Sequence, residues 1–258
     1  MGQYLDKLAF ILTGMENSGT TCTAELMKQK MLGVNGGFEL GILLVESPRQ
    51  FPTADIPFYQ KMIEGRPKKR DHGRGWGISH HDLNHCCDTD SFPEFYKRLS
   101  DCWCPGEMIV DKAPGYVYYF RDMLERSQDG PVIVAHKHIY WQWASFKRRG
   151  VPMDMFKVHY DRWVQPMIDC SKEFSDRVRL IDHFDFVKDK EGVTDQAIEF
   201  INTFGVEYGR ATGKPEHPLT RGVFEYSYNI DELVPMNEKL HLDSIAFDPT
   251  GYYESIRA

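Results

Sequence analysis

The sequence predicts an α/β protein of three layers: helices on both faces of a doubly wound, mostly parallel sheet. Three observations carry this expectation. The chain has 258 residues, 41% of them apolar, enough for one large core. An apolar run without alternation, residues 8–13, passes through a turn of small residues into helix-forming sequence. Such a run suits a strand buried on both faces. Short apolar runs return at Met108–Val110, Val132–Ala135 and Val178–Ile181, each followed by polar residues and a helix-like stretch. With no Gly/Ser linker and no repeat, residues 1–258 read as one domain, with a lid or irregular region from about 210.

Taken in order, Leu8–Thr13 is the first strand and Thr20–Lys30 the first helix, ended by Gly33, Gly36 and Gly37. Between them lies Gly14-Met15-Glu16-Asn17-Ser18-Gly19-Thr20-Thr21. Strand, tight loop and helix form an anion-binding nest, with the amides of roughly Ser18 to Thr21 aimed at one negative group. Ser18, Thr20 and Thr21 add hydroxyls. The spacing is GxxxxG, but the lysine of the nucleoside-triphosphate loop is missing. A plain Gly/Ser turn also fits these residues.

Phe38–Val45 is ambiguous between strand and helix, and Ser47-Pro48 closes it. Residues 54–64 suit a short helix. The stretch 66–77 is basic and Gly-rich: a solvated loop, or one facing an anionic substrate. Residues 78–87, with His80, His81, His85, Cys86 and Cys87, read as a loop. They lack the CxxC spacing of a zinc site. Ser91 with Glu94 three residues on makes a capping box for a helix to Leu99. Cys102–Gly106 is a turn, and the strand at Met108–Val110 leads into Asp111-Lys112-Ala113-Pro114. Tyr116–Glu125 is helical. The strand at Val132–Ala135 ends in His136-Lys137-His138, and a helix runs on through Lys147. Charged groups at the carboxyl end of a parallel strand are where ligands sit. Met153–Cys170 is a long helix with an aromatic stripe, Phe156, Tyr160 and Trp163, and Pro166 kinks or interrupts it. Its aromatics and those of 116–120 suit core packing, and equally a pocket for a sugar or small hydroxylated metabolite. The last strand ends in Asp182-His183, and Gln196–Phe204 is a helix.

Composition narrows the function. The formal net charge of −7 argues against a generic nucleic-acid surface. No apolar run is long enough for a membrane span, and the N-terminus lacks a signal-cleavage pattern. The six cysteines, Cys22, Cys86, Cys87, Cys102, Cys104 and Cys170, include an adjacent pair and a CxC pair. That is poor disulfide geometry, so the expectation is a reduced, cytoplasmic protein.

Four segments together resemble the sulfotransferases that use 3'-phosphoadenosine 5'-phosphosulfate. The Ser18-Gly19-Thr20-Thr21 core matches that family's first loop, with Glu16 and Asn17 in place of its proline and basic residue. Lys137 follows a strand where the family has arginine, with Ser145 eight residues on. Asp111-Lys112-Ala113-Pro114 matches the family's Asp-Lys-Thr/Ala-Pro. Residues 183–192 resemble the segment after the family's last core strand, with Phe184 replacing a glutamate. The resemblance spans about residues 8 to 205 and implies a P-loop NTPase-like fold.

The resemblance also implies roles. Gly14, Asn17, Ser18, Gly19, Thr20 and Thr21 would hold the donor's 5'-phosphate, Lys137 and Ser145 its 3'-phosphate. Arg221, beside Gly222, would belong to a loop covering the nucleotide. Many members place a tryptophan near the adenine where this chain has Cys22, so adenine contacts must come from elsewhere. Lys112 is the expected catalytic cation. Glu39 is the first candidate for the base, in an apolar, Gly-rich setting that can raise its pKa; His80 and His81 are the others. The chemistry requires no metal, and the acceptor would be a small-molecule or saccharide hydroxyl. Two alternatives stand beside this reading: a nucleotide-dependent kinase of P-loop fold, and a binding protein that kept the fold and lost catalysis.

Overall fold

The computed structural model describes residues 7–37, 39–54, 57–63 and 76–205, together with 234, 238, 239 and 242. Arg221, most of the expected lid from about 210, and residues 66–75 of the basic stretch lie outside the described residues.

The elements are β1 (Leu8–Thr13), α1 (Thr20–Lys30), β2 (Val34–Asn35), α2 (Pro57–Ile63), α3 (His80–Cys87), α4 (Phe92–Trp103), β3 (Met108–Lys112), α5 (Phe120–Arg126), β4 (Val132–His136), α6 (Ile139–Lys147), α7 (Met153–Glu173), β5 (Val178–Asp182), α8 (His183–Lys188) and α9 (Lys190–Asn202). The strands form one five-stranded sheet in the order β2-β3-β1-β4-β5, and each described pairing is parallel. β1 is central and all six of its residues are buried, which is why its sequence shows no alternation. The alternation exists in space. Phe10 and Leu12 join one apolar cluster with Met27 of α1 and Ile198 and Ile201 of α9. Ile11 joins the opposite cluster with Leu83, Phe95, Leu99 and Phe120. Helices therefore cover both faces. A third cluster joins Met15 and Val117 to α6 and α7.

Several expectations need correction. β2 is a strand of two residues in the glycine stretch expected only to end the first helix; its short length leaves no periodic signal. Of the stretch at 38–45, the described residues 39–45 are neither strand nor helix as a whole: a 3₁₀ turn occupies Ile42–Leu44. Residues 78–87 are not a loop. Ser79 caps α3 by accepting from the Asp82 amide at 3.0 Å, and the helix buries Leu83, Cys86 and Cys87. The polar histidines lie on its outer side and hide that stripe in the sequence. Cys102 and Trp103 belong to α4 rather than to the following turn. A 3₁₀ helix takes Pro114–Tyr119 before α5 begins. Pro166 does not interrupt α7, which runs on to Glu173. Phe156, Tyr160, Trp163, Met167 and Cys170 are all buried along it at intervals of three and four residues, and that packed stripe carries the helix past the missing N–H. All six cysteines are free thiols. Among the described residues no helix is long and apolar enough to cross a membrane.

One buried polar knot fastens β3 to its surroundings. Asp111 is fully buried and accepts from the Tyr96 hydroxyl of α4. The Tyr116 hydroxyl sits 2.8 Å from both Asp111 carboxyl oxygens and accepts from the Leu43 amide at 3.2 Å. Replacing Tyr116 by Phe leaves the ring in place but strips one donor from Asp111 and the acceptor from Leu43. Urea unfolding of Tyr116→Phe is expected to show a loss of about 1–3 kcal/mol with an unchanged m-value. A loss within 0.3 kcal/mol of zero, by the same order-of-magnitude reckoning, contradicts this role for the knot.

Candidate functional site

The site lies at the carboxyl ends of β1, β3, β4 and β5. β1 ends at Thr13, whose hydroxyl donates to the Ala113 carbonyl at 3.0 Å. The chain then turns through Gly14, at φ 151°, where a Cβ would stand 2.2 Å from the Ala135 carbonyl oxygen of β4. Only glycine fits there. Asn17 takes φ 68° and Gly19 φ 95°, both left-handed. The Ser18 amide closes the turn on the Met15 carbonyl at 3.0 Å. With the Ser18 amide so engaged, three of the four expected amides remain, those of Gly19, Thr20 and Thr21, which have no intrahelical partner where α1 begins. The loop is braced from outside by Gln142 of α6, whose side-chain amide donates to the Glu16 carbonyl.

Two polar atoms of this loop, Asn17 Nδ2 and Ser18 Oγ, are buried with no hydrogen-bond partner among the described residues. Buried orphan polar atoms are rare and call for a partner. Orphaned donors beside open helix amides fit a phosphate group in kind: acceptor oxygens, negative charge, a helix start.

Lys112, at the end of β3, reaches into the same place. Its ammonium donates to the Thr21 hydroxyl at 3.0 Å and stands 3.8 Å from the Glu39 carboxylate. The side chains are 3% and 14% exposed. The Leu40 amide donates to the Lys112 carbonyl at 3.1 Å, which draws the chain at Glu39 to the strand end. The structure thus brings together Glu39, Lys112 and Thr21. It does not bring in His80 or His81. Both are exposed at the start of α3, and the His80 ring meets the Tyr59 hydroxyl at 3.3 Å. Among the described residues neither bonds to the loop, Lys112 or Glu39. No group of three or more His, Cys, Asp or Glu there is arranged to hold a metal.

Lys137 and Ser145 meet across the start of α6, the ammonium donating to the hydroxyl at 3.2 Å. Ser145 in turn donates to the Trp141 carbonyl at 2.9 Å. Burial, aided by Arg148, depresses the Lys137 ammonium to about 8. His183, just past β5, packs on the loop: a Cβ on Gly19 would lie 2.9 Å from its Nδ1. Burial, then the charge of Lys137, pushes His183 down to about 3, so it is neutral at pH 7. Asp111, beneath Lys112, is pushed up to about 7 by burial, against the hydrogen bonds of its two tyrosines.

Sequence reasoning missed His183, Gln142 and the two tyrosines on Asp111. Asp182-His183 at a strand end was a visible signal for the first. The others act through tertiary placement that no local pattern records.

No family model and no curated protein matches this chain. Among solved structures it is similar to the sulfotransferase domain from the Synechococcus PCC 7002 olefin synthase, at 16% identity and TM-score 0.57, covering 92% of each chain. It is also similar to the sulfotransferase domain from the curacin biosynthetic pathway, at 17% identity and TM-score 0.55, covering 83% of this chain and 76% of that one. The likeness is one of fold: the chain has a sulfotransferase-like α/β architecture.

A Lys137 that holds a phosphate would give anion binding a pH dependence. Its ammonium is charged below about pH 8 and neutral above it. Affinity for adenosine 3',5'-bisphosphate is then expected to fall by on the order of tenfold between pH 7 and pH 9, since the ligand's phosphates, with a second pKa of ~6, change little in charge over that range. Lys137→Arg, whose guanidinium stays charged, should flatten that fall. A wild-type affinity constant across this range, measured calorimetrically, contradicts the assignment.

Proposed function

We propose that this chain transfers a sulfuryl group from 3'-phosphoadenosine 5'-phosphosulfate to a hydroxyl of a small-molecule or saccharide acceptor, on a P-loop NTPase-like single domain. The observation that carries the reading is the convergence of a buried lysine on both the anion loop and a carboxylate: Lys112 on Thr21 and Glu39. The four-segment resemblance and the sulfotransferase-like fold support it.

Each residue has one task. Gly19, Thr20 and Thr21 offer amides to the 5'-phosphate, with Gly14 shaping the turn and Asn17 and Ser18 giving it a neutral amide donor and a hydroxyl. Asn17 stands where the resemblance has a basic residue, so the positive charge at this end comes from Lys112. Lys137 and Ser145 hold the 3'-phosphate, and Arg221 would cover the nucleotide. As the acceptor oxygen bonds to sulfur, the bond between sulfur and the bridging 5'-phosphate oxygen breaks. Negative charge grows on that bridging oxygen and Lys112 offsets it. The acceptor's proton passes to the Glu39 carboxylate. Glu39 is preferred to His80 and His81 because it alone of the three stands beside Lys112. The step balances without a metal.

Calorimetric titration with adenosine 3',5'-bisphosphate, run against ATP, tests the donor class. A preference of at least about tenfold for the bisphosphate, some 1.4 kcal/mol, is expected. Magnesium-dependent ATP turnover would instead establish the kinase alternative. Binding without turnover against a panel of phenols and sugars would establish the inactive one. Glu39→Gln tests the base: kcat for transfer is expected to drop about 10²- to 10⁴-fold, with the affinity for adenosine 3',5'-bisphosphate within about twofold of wild type. Unchanged kcat removes Glu39 from the role.

A further inference from the structure

Two cysteine pairs lie close in the sequence, Cys86-Cys87 and Cys102-Trp103-Cys104, and neither is well placed to bond within itself. The fold brings one member of each together. Cys86 is on the buried side of α3 and Cys102 is near the end of α4, and their sulfurs stand 3.5 Å apart. A disulfide holds its sulfurs at about 2.05 Å, so a closure of roughly 1.5 Å makes one.

The two helices are fixed where the sulfurs meet. Leu83 of α3 shares an apolar cluster with Phe95 and Leu99 of α4. The Arg98 guanidinium of α4 donates to the His85 and Asp88 carbonyls at 3.0 and 2.9 Å, which holds the end of α3 against α4. The thiols differ in access: Cys86 is fully buried and Cys102 is exposed. A thiol that meets the reagent, with a second thiol behind it to resolve the product, is the arrangement of an oxidisable pair. The neighbourhood gives the contact a consequence. Trp103, next to Cys102, donates its indole N–H to the Trp76 carbonyl at 2.7 Å, with the rings 4.4 Å apart. Trp76 lies on Gly37, where a Cβ would stand 2.5 Å from the indole, two residues before Glu39. A covalent tie at Cys102 fastens the end of α4 that carries this stack.

We propose that Cys86 and Cys102 are an oxidative modification site, at which a hydroperoxide converts the thiol pair into a disulfide that staples α3 to α4. The Cys102 thiolate attacks one peroxide oxygen and the O–O bond breaks. Cys102 becomes a sulfenic acid, and the other oxygen leaves as water or an alcohol with the proton that Cys102 gave up. The Cys86 sulfur then attacks the Cys102 sulfur. The S–S bond forms, the S–O bond breaks, and the oxygen leaves as water with the Cys86 proton. Two thiols lose two electrons and two protons, and one hydroperoxide is reduced. Burial, with Asp82 of α3 and Asp101 of α4, pushes the Cys102 thiol up against the hydrogen bond from Cys86; burial, then Cys102, pushes Cys86 well up. The thiolate is therefore scarce at pH 7, and mildly alkaline solution speeds the step. The pair's chemistry is the same whether or not the chain transfers a sulfuryl group.

The test treats the reduced full-length protein with a small excess of hydrogen peroxide at about pH 8.5, the ordinary pKa of a cysteine thiol. Wild type is expected to lose two of its six thiols, to show no intermolecular link on a non-reducing gel, and to regain both thiols with dithiothreitol. The oxidised form should melt about 5 to 10 °C above the reduced one. Cys102→Ser, an exposed substitution, should melt as the reduced wild type does and lose the paired oxidation. Cys86→Ala should lose it too, and Cys87→Ser should keep it. If the buried Cys86→Ala fails to fold, Cys102→Ser decides. The site is overturned if Cys102→Ser still loses two thiols, if Cys87→Ser abolishes the pairing, or if wild type loses a single thiol or forms only intermolecular links. The staple is overturned if the linked form melts no higher than the reduced one.

Discussion

The site depends on an ammonium taken almost entirely out of water. Lys112 has a side chain only 3% exposed at the end of a central strand, and a buried lone charge is expensive. The protein tolerates it because the Thr21 hydroxyl and the Glu39 carboxylate both face it. That requirement ties three distant pieces of chain together. β3 must end where β1 turns, α1 must begin with a hydroxyl on that side, and the segment after β2 must bring a carboxylate back to the strand end. The parallel register supplies the first condition, with Leu12 of β1 opposite Lys112 of β3.

Beneath this cation the chain keeps a second buried polar group of opposite tendency. Asp111 points away from Lys112 into the α4 side of the sheet, where Tyr96 and Tyr116 satisfy it. Alternation along the strand sends one charged side chain to each side, so adjacent residues serve different ends. Asp111 fixes the strand against α4 and the turn at Leu43; Lys112 faces the loop. Tyr116 links the two functions, since the segment it holds through the Leu43 amide is the one that carries Glu39 four residues earlier.

Much of this was legible in the sequence, for identifiable reasons. β1, β3 and β4 are buried on both faces, so their apolar runs are continuous and stand out; β5, at the sheet edge, shows a shorter signal broken by the exposed Arg179. The bounds of α1 follow from Gly19 and the glycines beyond Lys30. β2 was hidden because two residues have no period. α3 was hidden because His80, His81 and His85 outweigh three buried residues in a short helix. In the site, Glu39, Lys112 and Thr21 were each nameable from local motifs, but their meeting is a product of strand order. His183 and Gln142 brace the loop through tertiary contact alone, and the stack of Trp141 on Phe184 comes from two strands adjacent in space and more than 40 residues apart in sequence.

The charge balance of the site explains why its neutral residues matter. With Asn17 where the resemblance has a basic residue, the loop carries no basic side chain of its own; its Glu16 carboxylate faces Arg149 at 3.8 Å, and Lys112 is already shared with Glu39. Lys137 is depressed by burial to about 8, and burial, then the charge of Lys137, holds His183 down to about 3. A structural role would be served better by groups that need no counter-charge. Two nitrogen bases kept below their ordinary pKa, beside the orphaned Asn17 amide and Ser18 hydroxyl, form an environment short of negative charge. Such a deficit costs stability in the free protein, and an anion bound as the proposed function requires would recover it. On the proposed function, anion affinity would come from oriented dipoles and two partly desolvated lysines rather than from a dense basic patch, in keeping with a chain of formal net charge −7.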